Sequence, residues 1–228
     1  MNRADEIASN FLQVREKISL AAQRSGRDLD ELTLIAVTKT FPTTDLETLY
    51  SLGIREFGEN RDQEASVKAA QLPSDINWHF QGGIQSNKLK SICSWASVIH
   101  SVDQYRHAQK ISEYSLNKTM KIFIQVSLDK PVESRGGVDP EKLINLAGEI
   151  SLLPNISIMG LMAVAPVDQQ AEPAFAQLQQ IHQSFIAHYK DAKYLSAGMS
   201  GDYEMAISYG ATHLRIGSSI LGNRPPIK

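Results

Sequence analysis

Apolar residues recur along this chain in two patterns that predict two kinds of secondary structure. Apolar positions at helical spacing predict an amphipathic helix over Ala4–Arg24, which ends at Gly26. The stretch Leu32–Lys39, read L-T-L-I-A-V-T-K, is apolar and β-branched without polar alternation. This pattern is typical of a strand that is buried on both faces of a parallel sheet.

Further strands and helices alternate along the rest of the chain. The other predicted strands are Ile54–Glu59, Asn77–Gln81, Val98–Val102, Lys121–Leu128, Ile156–Val164, Lys193–Ala197 and Thr212–Ile216. The helices predicted between them include Arg61–Gln71, Ser86–Trp95, a helix capped by Asp103, a helix that starts at Asp139, Pro173–His188 and Asp202–Tyr209. Eight strands that alternate with helices at intervals of about 20 to 40 residues predict an α/β fold, a (β/α)8 TIM barrel preceded by an N-terminal helix. A doubly wound open sheet is the alternative.

Composition and charge narrow the class of protein. The 228 residues carry a formal net charge of −2 with Lys and Arg scattered, which argues against a nucleic-acid partner. No apolar stretch reaches the length of a membrane span and no signal segment opens the chain, so we expect a cytoplasmic protein without a membrane partner. The single cysteine, Cys93, excludes an internal disulfide and a cysteine-based zinc site. No linker or repeat divides residues 1–228, which predicts a single domain.

In a barrel the carboxyl ends of the strands share one face, and active sites lie there. Lys39 would end the first strand, where desolvation can lower the pKa of a lysine and leave an amine able to form a Schiff base. An amine that simply extends into solvent is the alternative. Ser200, Gly217 and Ser218 follow the seventh and eighth strands, where barrels frequently bind phosphate.

The first and eighth strands become neighbours when a barrel closes, so the amine and the phosphate site would lie on adjacent strands. A small molecule with both an aldehyde and a phosphate would span them, and pyridoxal 5′-phosphate (PLP) is the commonest cofactor with both groups. Arg215 would point into the same rim if strand parity holds. A Schiff-base aldolase that uses no cofactor remains an alternative.

Six stretches of the chain resemble the YggS/PROSC family of pyridoxal phosphate homeostasis proteins, which is similar to the fold-type III barrel domain of alanine racemase. The resemblance covers nearly the whole chain in the right order. The stretches are A-V-T-K (36–39), F-G-E-N-x-x-Q-E (57–64), W-H-F-x-G-x-I-Q-S-N-K (78–88), G-L-M (160–162), S-A-G-M-S-G-D (196–202) and R-I-G-S-S-I-L-G (215–222).

The resemblance implies a role for each cofactor-binding residue. Lys39 matches the family lysine that holds PLP as an internal aldimine, and Arg215 matches the arginine that faces the pyridine nitrogen. The remaining matches are phosphate contacts at Ser200, Gly217 and Ser218, and pocket residues near the ring at Asn60 and Met162.

One motif residue has an open role, and two positions depart from the family pattern. His79 matches a family motif, where a ligand contact and a structural histidine satisfied by the backbone are both open. Ala197 stands where the family usually has methionine, which removes bulk beside the phosphate loop. Arg135 replaces a lysine that is common in the loop after the fifth strand.

Two arguments favour a protein that carries PLP rather than an enzyme. An arginine stays protonated, so a pyridine nitrogen that faces Arg215 would stay unprotonated and the ring would be a weak electron sink. Alanine racemase draws an opposing tyrosine from a C-terminal β domain, whereas this chain ends at Lys228, soon after the eighth strand. The resemblance implies a non-catalytic protein that binds PLP for vitamin B6 homeostasis, with PLP-dependent apoenzymes as candidate recipients. We expect a monomer, because the racemase domain that forms part of its dimer site is lacking. A small PLP-dependent amino-acid racemase is the alternative.

Overall fold

Eight parallel strands form a closed barrel in the computed structural model, which describes residues 2–129, 136–166 and 171–223. Each strand pairs with the next along the chain, and β1 pairs with β8 to close the barrel. The predicted (β/α)8 barrel is therefore confirmed, and the open sheet is wrong. The strands are β1 Thr33–Val37, β2 Glu56–Glu59, β3 Asn77–Phe80, β4 Val98–Val102, β5 Met120–Gln125, β6 Ile156–Met162, β7 Tyr194–Met199 and β8 His213–Ile216.

Helices surround this barrel, and the first of them precedes β1 as predicted. Asn2 caps α1 by accepting the Asp5 N–H at 2.8 Å, and the buried apolar stripe of α1 packs near α2, α8 and α9. The helices are α1 Arg3–Arg24, α2 Thr43–Ser51, α3 Asp62–Gln71, α4 Leu89–Trp95, α5 Tyr105–Tyr114, α6 Leu143–Ser151, α7 Ala171–His188, α8 Tyr203–Ser208 and α9 Ser218–Leu221. Short 3-10 turns occupy Leu29–Glu31 and Pro140–Lys142.

The first strand ends earlier than predicted. β1 stops at Val37, and Lys39 lies in the turn that follows it rather than in the strand. The Thr38 N–H still donates to the Gly58 carbonyl at 2.9 Å, but Thr40 adopts a left-handed φ of 70°. This backbone conformation is costly for a β-branched residue and cannot continue a strand.

Other boundaries also differ from the prediction. Gln104 occupies the N-cap of α5, because the Asp103 carboxylate instead accepts from His107 Nδ1 and from the Gly137 N–H. The helix predicted from Ser86 begins at Leu89. The helix predicted from Asp139 does start there: the Asp139 carboxylate accepts the Glu141 N–H, and the 3-10 turn leads directly into α6. The 3-10 turn Leu29–Glu31 and α9 were not predicted. β5 and β6 end before Leu128 and Val164, and β7 runs on to Met199.

The interior of the barrel is mixed rather than uniformly aliphatic. Val98, Phe123 and Met162 form a small apolar cluster separate from the main core. Buried polar side chains lie beside it, among them His100 and Arg215. Barrel interiors usually contain bulky branched residues, so this polar content needs a reason. None of the helices in the described ranges is long and apolar enough to cross a membrane.

Candidate functional site

A cavity of about 270 Å³ opens among the residues that follow the carboxyl ends of the strands. Its volume is just below the range of ordinary small-molecule pockets, roughly 300–1,000 Å³. The residues come from the turns after β1 and β2, the end of β6, the loop after β7, and β8 with the turn after it. All seven residues that the sequence analysis assigned to a cofactor line this one cavity: Lys39, Asn60, Met162, Ser200, Arg215, Gly217 and Ser218.

A buried ion-pair cluster lies against the turn that carries Lys39. Lys68 Nζ donates to the Thr38 carbonyl at 2.8 Å and to the carboxylates of Glu59 and Glu64 at 2.7 and 2.6 Å. Both Lys68 and Glu59 are almost completely buried. Burial raises the pKa of Glu59, while the charge and hydrogen bond of Lys68 oppose that rise. The cluster thus depends on keeping cation and anion together.

The same cluster holds the other side of the turn. Glu64 Oε1 accepts the Thr40 N–H at 2.6 Å, which ties the residue with the left-handed backbone to α3. The residues on both sides of Lys39 are therefore bound by one group of charges. The cluster thereby fixes the backbone of the turn from which the Lys39 side chain extends.

The loop after β7 is joined to the start of α9. Ser200 Oγ accepts the N–H groups of Gly217 and Ser219, each at 3.2 Å. Gly198 has a φ of 88°, and a Cβ at this position would lie 2.7 Å from Ala206 Cβ on α8. Only glycine allows this close approach without strain. The serine-rich loop therefore has a defined place at the edge of the cavity.

Arg215 supplies a buried cation to the cavity. Its guanidinium donates from one nitrogen to Ser196 Oγ and from the other to the Ala163 carbonyl, both at 2.8 Å. Burial lowers its pKa to about 10, which still leaves it protonated at neutral pH. Two of its five N–H groups are thus committed to these two oxygens.

Two polar atoms of the cavity lining have no hydrogen-bond partner within the described protein. They are Asn60 Oδ1 and Gln81 Nε2, both buried. Buried polar groups are nearly always paired, and leaving one unpaired costs about 1–3 kcal/mol. These two unpaired atoms in the cavity wall favour a polar ligand, which could donate to Asn60 Oδ1 and accept from Gln81 Nε2.

Five lining residues were not assigned to the site from the sequence. Gln81 directly follows β3, and its place at a strand end was a usable signal because every barrel strand ends on the same face. Three of the others, Val37, Met199 and Gly201, lie within the quoted motifs, but glycine and apolar side chains carry no polar group that would have assigned them to a ligand. The five are Val37, Gln81, Val164, Met199 and Gly201.

The roles of His79 and Arg135 were left open from the sequence. His79 is a buried structural histidine and does not line the cavity. Its ring nitrogens are bound by the side chains of His100 and Glu56, so the expectation that backbone groups would be its partners is wrong. Arg135 lies outside the described residues. Within the described ranges, no group of three or more His, Cys, Asp or Glu side chains is arranged to hold a metal ion.

Comparison with known proteins identifies the family. Residues 5–225 match the family model described as the N-terminal domain of alanine racemase. The pyridoxal phosphate homeostasis protein of Pseudomonas aeruginosa is 39% identical over 224 residues, which cover 96% of each chain. This chain belongs to the pyridoxal phosphate homeostasis protein family. The YggS/PROSC resemblance inferred from the six motifs is confirmed.

Solved structures of this family and of a more distant fold relative agree with the barrel. PipY of Synechococcus elongatus, solved with PLP bound, is 33% identical, with a TM-score of 0.79, and the match covers 92% of this chain and all of PipY. Alanine racemase of Clostridium difficile shares the fold at 13% identity and a TM-score of 0.73. That match covers 97% of this chain but 60% of the racemase, and it confirms the fold-type III architecture.

Proposed function

We propose that this member of the pyridoxal phosphate homeostasis family binds PLP in the cavity at the strand ends and holds it in a protected form for intracellular vitamin B6 homeostasis. The proposal includes a covalent bond between Lys39 and the cofactor, and a role that involves no catalytic turnover. The observation that carries it is the convergence of an amine, a buried guanidinium and a serine-glycine loop on one cavity of about 270 Å³.

The residues present fit this cofactor in three respects. Lys39 supplies the amine that a Schiff base with an aldehyde requires. The hydroxyl groups of Ser200 and Ser218 can donate to a phosphate, and Gly217 between them leaves room for it because it has no side chain. Asn60 Oδ1 is a buried acceptor that lacks a donor in the protein, and PLP carries polar ring substituents. When bound, PLP supplies an electrophilic aldehyde and an electron-withdrawing ring.

The charge at the cavity supports holding rather than turnover. Arg215 remains a cation at neutral pH, so a pyridine nitrogen that faces it would accept a hydrogen bond and stay unprotonated. An unprotonated ring withdraws electrons more weakly than a protonated one. Of the described residues in the lining, Lys39 and Arg215 are the ones that carry ionisable side chains. Arg215 stays protonated, so Lys39 is the one of these two that can exchange a proton. Racemisation removes a proton from one face and returns it to the other, which calls for two acid–base groups.

Absorption spectroscopy tests the binding part of this proposal. The protein incubated with PLP and freed of excess cofactor should be yellow, and Lys39→Ala should be colourless. Lys88→Ala is the matched control, because Lys88 lines a neighbouring cavity that shares Asn60 with the proposed site. Colour that survives in Lys39→Ala, or that disappears equally in Lys88→Ala, would contradict the assignment of Lys39.

Assays of turnover and transfer test the carrier role. The PLP-loaded protein should show no racemase or transaminase turnover at ordinary enzymatic rates with a panel of amino acids. Mixed with a PLP-dependent apoenzyme, it should restore that enzyme's activity. Steady racemisation of any amino acid would replace the carrier with the racemase alternative, and a colourless protein that cleaves aldols would favour the aldolase.

A further inference from the structure

An unbroken series of side-chain hydrogen bonds crosses the interior of the barrel. Glu56 Oε2 lies 2.6 Å from His79 Nε2, and His79 Nδ1 lies 2.8 Å from His100 Nε2. His100 Nδ1 lies 2.9 Å from Ser196 Oγ, which accepts the Arg215 bond at 2.8 Å. Glu56 is the first residue of β2, so the series runs from the amino end of the barrel to the cavity at the carboxyl end.

The chemistry of the two ends gives the series a direction. A guanidinium only donates, and an ionised carboxylate only accepts. With Ser196 accepting from Arg215, its own hydroxyl is available to donate to His100 Nδ1. His100 Nε2–H then donates to His79 Nδ1, and His79 Nε2–H donates to Glu56. Every bond points away from the cavity and ends on a negative charge.

The surroundings of His100 favour its uncharged state. Burial and nearby positive groups lower the pKa of His100 well below its usual value. Burial alone would raise the pKa of Glu56, but the hydrogen bonds that it accepts from His79 and Asn77 help to bring the pKa below normal, so the carboxylate is ionised. The Phe123 ring stacks on His100 with centroids 4.5 Å apart, which holds the imidazole plane.

We propose that Glu56, His79, His100 and Ser196 are positioning residues that orient the Arg215 guanidinium through a one-directional hydrogen-bond series ending on the Glu56 carboxylate. Hydrogen bonds in such a series polarise one another, so a change at one end is felt at the other. The effect of this series on cofactor binding rests on the proposed function. The hydrogen bonds themselves join only groups of the protein and do not depend on a cofactor. The polar side chains in the barrel interior would then serve to orient the Arg215 guanidinium toward a ligand in the cavity.

Nitrogen NMR of the full chain without added PLP tests the direction. In protein labelled at the histidine ring nitrogens, His79 and His100 should both be neutral and protonated at Nε2 at pH 7. Assignment uses the variants His79→Gln and His100→Gln. A proton on Nδ1 of His100, or an imidazolium at either residue, would overturn the proposed direction.

The affinity for PLP tests the positioning role with three serine variants. Ser196→Ala removes the first link and should weaken PLP binding by about 10-fold, the typical effect of losing a hydrogen bond to a charged group. Ser196→Thr keeps the hydroxyl and should stay within about 2-fold of the unaltered protein. Ser112→Ala is the control, because Ser112 is also buried and hydrogen-bonded but lies on α5 outside the series.

The outcomes separate this inference from the proposed function. Equal PLP affinity for Ser196→Ala and the unaltered protein, or equal losses for Ser196→Ala and Ser196→Thr, would overturn the positioning role. If the unaltered protein binds no PLP, the proposed function fails, while the histidine protonation states still decide whether the series runs as inferred.

Discussion

Replacing Lys68 by methionine tests whether the charge cluster supports the turn that carries Lys39. The substitution keeps most of the side-chain volume but removes three short hydrogen bonds, one to Thr38 and one to each of Glu59 and Glu64. It leaves the Glu59 carboxylate fully buried without its cation. Breaking a buried pair in this way costs about 3–5 kcal/mol, so we expect the free energy of unfolding to fall by that amount at pH 8.

The loss should depend on pH with a definite sign. Burial already raises the pKa of Glu59, and without Lys68 it should rise further. A carboxyl with a raised pKa in the folded state keeps its proton where the unfolded chain has lost it, so its burial destabilises the fold as pH rises. The deficit of Lys68→Met should therefore be largest above the raised pKa and shrink as pH falls through it.

Urea unfolding followed by the fluorescence of the two tryptophans, Trp78 and Trp95, measures these values. The double variant Lys68→Met/Glu59→Gln is the matched control, since it removes both charges and should recover at least half of the loss. A loss below about 1 kcal/mol at pH 8, typical of an exposed pair, or a loss that does not change with pH, would refute the account of the cluster.

Three further substitutions probe the cavity wall. Gly198→Ala should lower the unfolding free energy by about 1–3 kcal/mol, because a methyl group there meets α8 and the backbone is left-handed; thermal denaturation checks this. Asn60→Leu removes an unpaired buried acceptor, so stability should hold or rise by up to about 1 kcal/mol while PLP affinity falls, as denaturation and spectral titration would show. Arg215→Gln should weaken PLP binding by about 10-fold or more in the same titration, because it removes a charged donor; unchanged affinity would contradict its assigned place.

The barrel and the membership of the cavity could be predicted because both depend on local signals. Strand and helix patterns alternate clearly, and a closed parallel barrel places every strand end on one face. The pairing of β1 with β8 then brought residues at opposite ends of the chain, Lys39 and Gly217, into one cavity. Neither step required knowledge of a long-range side-chain contact.

The predictions that proved wrong concern residues whose conformation or partners depend on side-chain contacts distant in the sequence. β1 ends before Lys39 because Glu64, 24 residues away, holds Thr40 in a left-handed conformation. The partners of His79 lie on β2 and β4, so strand parity could point its ring inward but could not name what it binds. Asp103 was predicted to cap α5, but its carboxylate accepts the N–H of Gly137, which lies 34 residues later in the chain.

Reduction of the PLP-loaded protein with borohydride, followed by peptide mapping, tests the central claim most directly. Reduction makes the bond between the cofactor and its lysine permanent, so the modified tryptic peptide identifies that lysine. The account predicts a pyridoxyl group on Lys39 in the unaltered protein and no adduct at that peptide in Lys39→Ala. An adduct confined to another lysine, or none in a protein that binds PLP, would contradict it.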